Sequence, residues 1–278
     1  MLLLWIVIIC LFVILSICLV CFQHRDNTPL IDQSLQELAV KHNSTVIALI
    51  DSPCRDPLNN NGHDSINLET TTSLLEVLRT VKPTSTVDLI IHTEGGDIAA
   101  SLQIALALSR HQGSINIYVP FYAYSAGTLL CLSARTIFMD PQAMLGPIDP
   151  QIGIASLDGA FAVSDLANMK NLKSIDHQDD SIVLGDLVGQ KWIKLLKSKI
   201  SEIMAPNYEP GTINMIFEEL ASGKLPHDAP LNWPRLQELG LNISPCRLPP
   251  SIYKAVSSVI YDTCRHRRTT VFVGRRGD

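Results

Sequence analysis

The feature that most constrains the fold is a regular alternation of strand-like and helix-like segments through the middle of the chain. Apolar, β-branched runs of strand length lie at Thr45–Ile50, Val87–His92, Ser114–Val119 and Thr136–Met139. Helical patterns separate them, over Leu68–Arg79, over Ile98–Arg110 and from Tyr124 to about Ala134. Short connections between alternating strands and helices predict an α/β fold with a mainly parallel sheet.

The pattern changes after Asp158, where helical periodicity predominates. One long amphipathic helix is predicted over Asp180–Met204, with lysines on its polar side. Shorter helices are predicted around Met215–Ala221, Trp233–Leu239 and Pro250–Cys264.

The N-terminal run Met1–Phe22 contains no charged residue and consists largely of Leu, Ile, Val, Phe and Cys. As a helix it is about 33 Å long, which is enough to cross the hydrocarbon core of a bilayer. It lacks a basic n-region and a small-residue cleavage site, so we expect a retained single-pass anchor in the lipid bilayer rather than a cleaved signal peptide. The first charge after the run is Arg25. By the positive-inside rule, this charge predicts a cytoplasmic catalytic domain.

Composition excludes several classes of protein. Only 18% of the 278 residues are charged and 46% are hydrophobic, which is incompatible with a disordered chain. The net charge of −5 provides no basic field, so nucleic acid is not an expected partner. The seven cysteines form no CxxC pair, and therefore indicate neither a zinc site nor a disulfide framework. No metal or organic cofactor is expected.

Two short motifs follow neighbouring strands and carry the chemistry. Gly95 and Gly96 come directly after a buried strand, where glycine backbone can approach a ligand closely and direct N–H groups at a developing negative charge. Ser125 lies between a strand and a helix, beside the small residues Ala126 and Gly127. Taken singly, the glycines fit an ordinary turn and the serine fits a helix N-cap. Each of the two motifs follows a strand of the same βαβ unit, so we expect them to meet at the carboxyl ends of adjacent strands, where such sheets place active sites.

These motifs resemble those of the serine dehydrogenase proteinase family. Its members are relatives of signal peptide peptidase A within the ClpP-like superfamily. The resemblance rests on matching segments spread over roughly residues 40 to 245: His92–Asp97, Pro120–Thr128, Met139-Asp140, Leu145–Gln151, Leu220–Lys224, His227-Asp228, Pro230-Leu231 and Glu238–Leu241. One position departs from the family pattern, because Glu94 stands where relatives generally carry proline. A carboxylate beside an oxyanion hole opposes the developing charge unless it points away.

The resemblance implies a ClpP/crotonase-like spiral of ββα units, usually assembled into homo-oligomers. It also implies a nucleophile at Ser125 and an oxyanion hole formed by the backbone of Gly95, Gly96 and Ala126. Two acidic residues in the matched motifs, Asp140 and Asp149, are candidates for orienting a base or binding the substrate backbone. Each also fits a turn cap beside its proline.

The general base is the least determined part of the predicted site. ClpP itself uses a histidine shortly downstream of the serine, but Leu145–Pro150 contains none, so a Ser-His-Asp triad of the ClpP kind is not expected. Relatives of signal peptide peptidase A use a desolvated lysine as the base. Lys173 is the preferred candidate here, with Lys191 on the long helix as another. The remaining alternatives are Lys170 and His177, and any of the lysines also fits a solvated surface charge.

The predicted organisation is a transmembrane anchor over residues 1–23, a juxtamembrane helix or linker over 24–44, a ClpP-like serine peptidase domain over 45–245, and a C-terminal helix and basic tail over 246–278. The predicted function is a membrane-anchored serine endopeptidase that cleaves a peptide or membrane-protein substrate. The main alternative is an inactive ClpP-like scaffold or binding protein. A crotonase-type acyl-CoA enzyme has only fold analogy in its favour, and the glycine pair lacks the GxGxxG spacing of a dehydrogenase.

Overall fold

The computed structural model describes residues 28–51, 66–154, 159–260 and 270–274. The predicted anchor over residues 1–23 therefore lies outside the described residues. Within the described ranges, no helix is both long enough and apolar enough to cross a bilayer.

A six-stranded sheet forms the centre of the fold, with the strand order β10-β1-β2-β3-β5-β9. Its strands are β1 (Thr45–Ile50), β2 (Val87–His92), β3 (Ile115–Val119), β5 (Thr136–Met139), β9 (Ile243–Pro245) and β10 (Thr270–Gly274). Neighbours pair in parallel, except β10, which is antiparallel to β1. The mainly parallel α/β sheet predicted from the alternation is confirmed.

The helices cover both faces of this sheet. They are α1 (Thr28–His42), α2 (Leu68–Thr80), α3 (Ile98–Ser109), α4 (Ala126–Cys131), α5 (Val163–Leu172), α6 (Asp180–Met204), α7 (Pro210–Leu220), α8 (Trp233–Glu238) and α9 (Pro250–Ile260). The bounds of the long helix α6 are those predicted from its periodicity. Asp97 is the N-cap residue of α3. Its carboxylate oxygen Oδ1 accepts a hydrogen bond from the N–H of Ala100 at 2.7 Å, which satisfies one of the free donors of the first turn.

Side-chain alternation along the strands divides the core into two layers. In β1, Ile47 and Leu49 belong to one hydrophobic cluster, together with residues of α2, α3 and α6. Val46, Ala48 and Ile50 face the opposite side and pack with residues of α1 and α9. Because both faces are covered, every position from Val46 to Ile50 is buried.

A second, shorter sheet follows the carboxyl ends of the central strands. It pairs β4 (Tyr122–Ala123) in parallel with β6 (Met144–Leu145). Single bridges extend it from Thr93 to Ala123 on one side and from Leu145 to Leu231 on the other. A main strand, a short strand and a helix follow one another in β3, β4 and α4. This small sheet brings the segments after β2, β3 and β5 together.

The segment after the second sheet differs from its mostly helical prediction. A hairpin of β7 (Gln151–Ile154) and β8 (Gly159–Ala162) precedes α5. Ile154 of the hairpin forms a small core with Leu166 of α5 and Ile182 of α6. Likewise, part of the predicted basic tail is strand β10, which pairs with β1 from Val46 to Ile50. The strands β7, β8 and β10 are only four or five residues long, which is too short for a clear periodicity, and β10 in addition pairs with a strand that is distant in sequence.

Candidate active site

Ser125 lies in a strained turn between β4 and α4. Its backbone has φ 47° and ψ −113°, and its side chain makes no capping hydrogen bond to the helix that follows. Asn43 is the other described residue besides glycine with a positive φ. A backbone of this kind costs about 1–3 kcal/mol and persists where the surrounding structure enforces it, typically at a functional site. The geometry therefore favours a nucleophile over the ordinary N-cap.

The glycine pair packs directly against this turn. A Cβ atom added to Gly95 would lie 2.9 Å from Ser125 Cβ and 3.4 Å from the Ala126 nitrogen. At Gly96 an added Cβ would lie 2.3 Å from the carbonyl oxygen of Ile66, and φ is +153°. Ile66 holds this loop in place, because its N–H donates to Gly95 O at 2.9 Å and its carbonyl accepts from Asp97 at 2.8 Å. Only glycine fits either position without displacing backbone.

The two glycines differ in what their N–H groups do. The N–H of Gly95 donates to Thr93 Oγ1 at 3.0 Å, while the Thr93 hydroxyl donates to the buried carboxylate of Asp51. Within the described part of the chain, the N–H groups of Gly96 and Ala126 have no hydrogen-bond acceptor. Gly95 thus shapes the loop, whereas Gly96 and Ala126 hold the N–H groups that are available for an oxyanion.

Ser125 opens into a cavity of about 360 Å³. Its walls include the apolar side chains of Ile98, Leu129, Ile148, Ile152, Trp192 and Leu196. Its charged lining residues are Glu94, Asp97 and Asp149, together with the titratable His227. No lysine or arginine lines the cavity in the described ranges. The cavity therefore combines apolar walls with a group of carboxylates and one imidazole.

His227 and Asp149 form a hydrogen-bonded pair inside this cavity. His227 Nδ1 lies 2.9 Å from Asp149 Oδ1, and the second carboxylate oxygen accepts from Gln151 Nε2 at 2.6 Å. Asp149 is buried, with 3% of its surface exposed. Because a carboxylate only accepts, Nδ1 carries the proton, which leaves Nε2 as the basic nitrogen of the neutral ring. An imidazole hydrogen-bonded to a buried carboxylate thus shares a cavity with a strained serine.

Backbone hydrogen bonds on both sides of His227 explain how it reaches Asp149, from which it is separated by 78 residues. Before it, the carbonyl of Leu220 accepts from the N–H of Ile148 at 2.7 Å. After it, Leu231 exchanges hydrogen bonds with Leu145 at 2.8 and 3.0 Å. The loop between α7 and α8 is thereby anchored along the segment that contains Asp149.

The lysines predicted as bases lie elsewhere. Lys173 directly follows α5 and is exposed, and Lys191 is exposed on α6. Neither lines the cavity that contains Ser125. The side chain of Lys170 lies outside the described residues. His177 is exposed, and its Nδ1 is 2.9 Å from Ser174 Oγ.

The two acidic candidates have separate roles. Asp149 is part of the cavity and binds His227, as an orienting residue does. Asp140 instead accepts from the N–H of Gln142 at 2.8 Å and from the Tyr253 hydroxyl at 2.7 Å. Burial and this hydrogen bond raise the pKa of Tyr253 to about 12, so the hydroxyl stays a donor. Asp140 caps a turn and holds α9, and it does not line the Ser125 cavity.

Sequence reasoning missed His227 as a candidate base. The bases predicted from the sequence lie nearer to Ser125 along the chain than His227 does. His227 reaches the site because the loop that contains it is anchored beside Asp149. The available signal was the His227-Asp228 pair within the downstream motif that carried the family resemblance.

The mainly parallel sheet with helices on both faces defines an α/β fold of the ClpP-like type. The family model for the ClpP-like SDH-type serine proteinase matches residues 1–274, and the chain belongs to this family. Two uncharacterized proteins of Methanocaldococcus jannaschii are similar to it. One is 31% identical over 243 residues, covering 86% of this chain and 81% of its own length. The other is 33% identical over 189 residues, covering 68% of this chain and 62% of its own length.

Among solved structures, a mutant of the 1510-N membrane-bound stomatin-specific protease is similar over 74% of this chain and 88% of its own. The identity is 16% and the TM-score is 0.45.

Proposed function

We propose that this chain is a serine endopeptidase in which Ser125 is the nucleophile, His227 the general base and Asp149 the residue that orients it. The observation that carries the proposal is the shared cavity, where the strained serine opens beside a histidine hydrogen-bonded to a buried carboxylate. Membership of a serine proteinase family supports the same reaction class. This proposal replaces the predicted lysine base, because Lys173 and Lys191 are exposed outside the cavity.

The proposed reaction begins when Ser125 Oγ attacks the scissile carbonyl carbon and its proton passes to His227 Nε2. The resulting oxyanion accepts hydrogen bonds from the N–H groups of Gly96 and Ala126. His227 then returns the proton to the leaving amine as the C–N bond breaks. Water then attacks the acyl-enzyme and gives a proton to His227. As the ester bond to Ser125 breaks, His227 returns this proton to Ser125 Oγ, and the acid product is released.

The test is covalent labelling of the detergent-solubilised full chain with a fluorophosphonate probe. We expect Ser125→Ala to abolish labelling and His227→Gln to slow it by about 10²- to 10⁴-fold, the usual contribution of a general base. Asp149→Asn should slow labelling as well, whereas the matched change Asp140→Asn should not, since Asp140 lies outside the cavity. His177→Gln is the matched control for loss of a histidine.

Three outcomes would contradict parts of this proposal. Labelling that survives His227→Gln but disappears in Lys173→Ala or Lys191→Ala would restore a Ser-Lys dyad. Labelling that survives Ser125→Ala would remove the nucleophile assignment. A folded wild-type chain that takes no label would favour the inactive scaffold, for which Glu94 in the lining of the cavity is the specific structural reason.

We also propose that residues 1–23 anchor the protein in a bilayer, with the catalytic domain on the cytoplasmic side. The absence of any charge from Met1 to Phe22 supports the anchor, and Arg25 as the first charge after this run supports the orientation. The full chain should remain in the membrane pellet after alkaline carbonate extraction, and protease added outside sealed cells should not digest the domain. Release by carbonate would contradict the anchor, and digestion from outside would contradict the orientation.

A further inference from the structure

The two N–H groups proposed for the oxyanion hole belong to different loops, and Thr93 is hydrogen-bonded to both of these loops. Its backbone carbonyl accepts from the N–H of Tyr124 at 3.0 Å, in the turn that precedes α4. Its hydroxyl oxygen accepts from the N–H of Gly95 at 3.0 Å, in the glycine loop. Thr93 is fully buried, so both bonds are shielded from water. One residue thus links the loops that carry the donors Gly96 and Ala126.

The glycine loop depends on such bonds because its backbone is intrinsically free to rotate. Gly95 and Gly96 have φ values of +127° and +153°, in a region that glycine enters without steric cost. Hydrogen bonds hold both peptide groups of Gly95, because its N–H donates to Thr93 and its carbonyl accepts from the N–H of Ile66 at 2.9 Å. A trans peptide group directs its N–H opposite to its carbonyl, so the N–H of Gly96 points away from Ile66. The Gly96 donor is therefore oriented by the bonds made at Gly95.

The buried carboxylate of Asp51 determines the direction of the Thr93 hydroxyl. This hydroxyl has one proton and a carboxylate only accepts, so the proton is directed at Asp51. The carbonyl oxygen of Gly95 also lies 3.2 Å from the hydroxyl oxygen, but it already accepts from the N–H of Ile66. With its proton on the Asp51 side, the hydroxyl presents a lone pair to the N–H of Gly95. A chain of hydrogen bonds therefore runs from Asp51 through Thr93 to the glycine loop.

We propose that Thr93 and Asp51 are positioning residues, which hold the N–H of Gly96 in the orientation that receives the oxyanion. The inference rests on the catalytic proposal above. Neither of these two residues lines the cavity that contains Ser125, so neither contacts a molecule bound there. A preorganised donor stabilises charge that develops only in the transition state. Loss of the positioning bonds should therefore slow the reaction of Ser125 without weakening the binding that precedes it.

Two substitutions of Thr93 separate its hydroxyl from its methyl group, which packs against Gly127. Thr93→Val keeps the shape and removes the hydroxyl, whereas Thr93→Ser keeps the hydroxyl and removes the methyl group. Fluorophosphonate labelling of the detergent-solubilised full chain is followed over a range of probe concentrations. We expect Thr93→Val to lower the maximal labelling rate by about 10- to 10²-fold, with the half-saturating probe concentration changed by less than about threefold. Thr93→Ser should label within about threefold of the wild-type rate, because the hydroxyl is retained.

Thr71→Val is the matched control. Thr71 is also buried, and its hydroxyl also bonds to backbone, at 2.9 Å from the carbonyl oxygen of Asn67, but it lies outside the cavity. Phosphorus NMR of the labelled proteins provides a spectroscopic readout, because the phosphonyl oxygen of the adduct occupies the oxyanion hole. We expect Thr93→Val to shift this resonance toward that of the unfolded adduct. Thr93→Ser and Thr71→Val should both keep the wild-type resonance.

The outcomes distinguish this inference from the catalytic proposal. A normal maximal rate in Thr93→Val would overturn the inference and leave Ser125 as the nucleophile, and equal losses in Thr93→Val and Thr93→Ser would overturn it in favour of packing. If Thr93→Val does not fold, Asp51→Ala and Asp51→Asn decide, because only asparagine keeps an acceptor for the hydroxyl. Asp51→Ala should then label about tenfold more slowly than Asp51→Asn, and equal rates would overturn the inference. A folded wild-type chain that takes no label would refute the catalytic proposal and this inference with it.

Discussion

Replacing His92 by phenylalanine should remove a pH dependence from the stability of this protein. His92 ends β2 and is 2% exposed. Within the described residues, neither of its ring nitrogens has a hydrogen-bond partner. Its ring centroid lies 5.7 Å from that of Phe121 and 4.1 Å from that of Tyr122. Burial among these rings penalises the charged form and lowers the pKa of His92 from 6.5 to about 4.

The sign and size of the effect follow from proton linkage. In the unfolded chain His92 binds a proton below pH 6.5, whereas in the folded chain it does so only below about pH 4. The folded state is therefore fully favoured above pH 6.5 and loses stability as the pH falls toward 4. At about 1.4 kcal/mol for each pH unit, the loss is about 2 kcal/mol at pH 5 and about 3 kcal/mol at pH 4.

The assay is urea unfolding of wild type and His92→Phe at several pH values between 7.5 and 4.5, followed by tryptophan fluorescence. Carboxylates titrate in both proteins, so the informative quantity is the difference between their unfolding free energies. This difference should change in favour of the variant by about 2 kcal/mol between pH 7 and pH 5. A difference that stays constant over this range would refute the reasoning. The exposed His177→Phe variant is the control that ties the effect to burial.

Two further predictions concern other buried features. Asp88 is buried in β2 and accepts hydrogen bonds from Ser44 at 2.7 Å and from His42 and Asn116 at 2.8 Å. Asp88→Ala leaves these donors without their acceptor and should lower the free energy of urea unfolding by about 2–4 kcal/mol, and a change below 1 kcal/mol would contradict the network. Gly96→Ala places a methyl group against backbone and should abolish fluorophosphonate labelling. Normal labelling in this variant would contradict the proposed oxyanion loop.

The sequence predicted the central sheet well because each strand is buried on both faces. Val87–His92 has the same bounds in the structure as in the prediction, since a continuous apolar run followed by glycines leaves few alternatives. The long helix over Asp180–Met204 was equally clear from its periodicity. Strand β10 was not predicted, because five residues carry too little periodicity and its partner β1 lies at the other end of the domain.

The candidate site could be predicted only in part. Ser125 and the glycine pair belong to short motifs whose small residues reflect a local backbone requirement, and such requirements are visible in sequence. The N–H of Gly95 is used in a hydrogen bond to Thr93 Oγ1, whereas that of Gly96 is not. The sequence does not reveal which of two neighbouring glycines makes this bond. His227 depends on the docking of a loop held by Leu145 and Ile148. A contact of this kind is a property of tertiary structure.

The pairing of β10 with β1 has a consequence for how the domain is made. Strand β1 emerges from the ribosome early, but its outer edge stays without a partner until residues 270–274 have been translated. During that interval an apolar strand exposes unpaired N–H and C=O groups, which are a template for association with other nascent chains. Strand β10 closes this edge in the finished domain. Premature termination before residue 270 should therefore produce an aggregation-prone product even though the segments that form the catalytic cavity have already been synthesised.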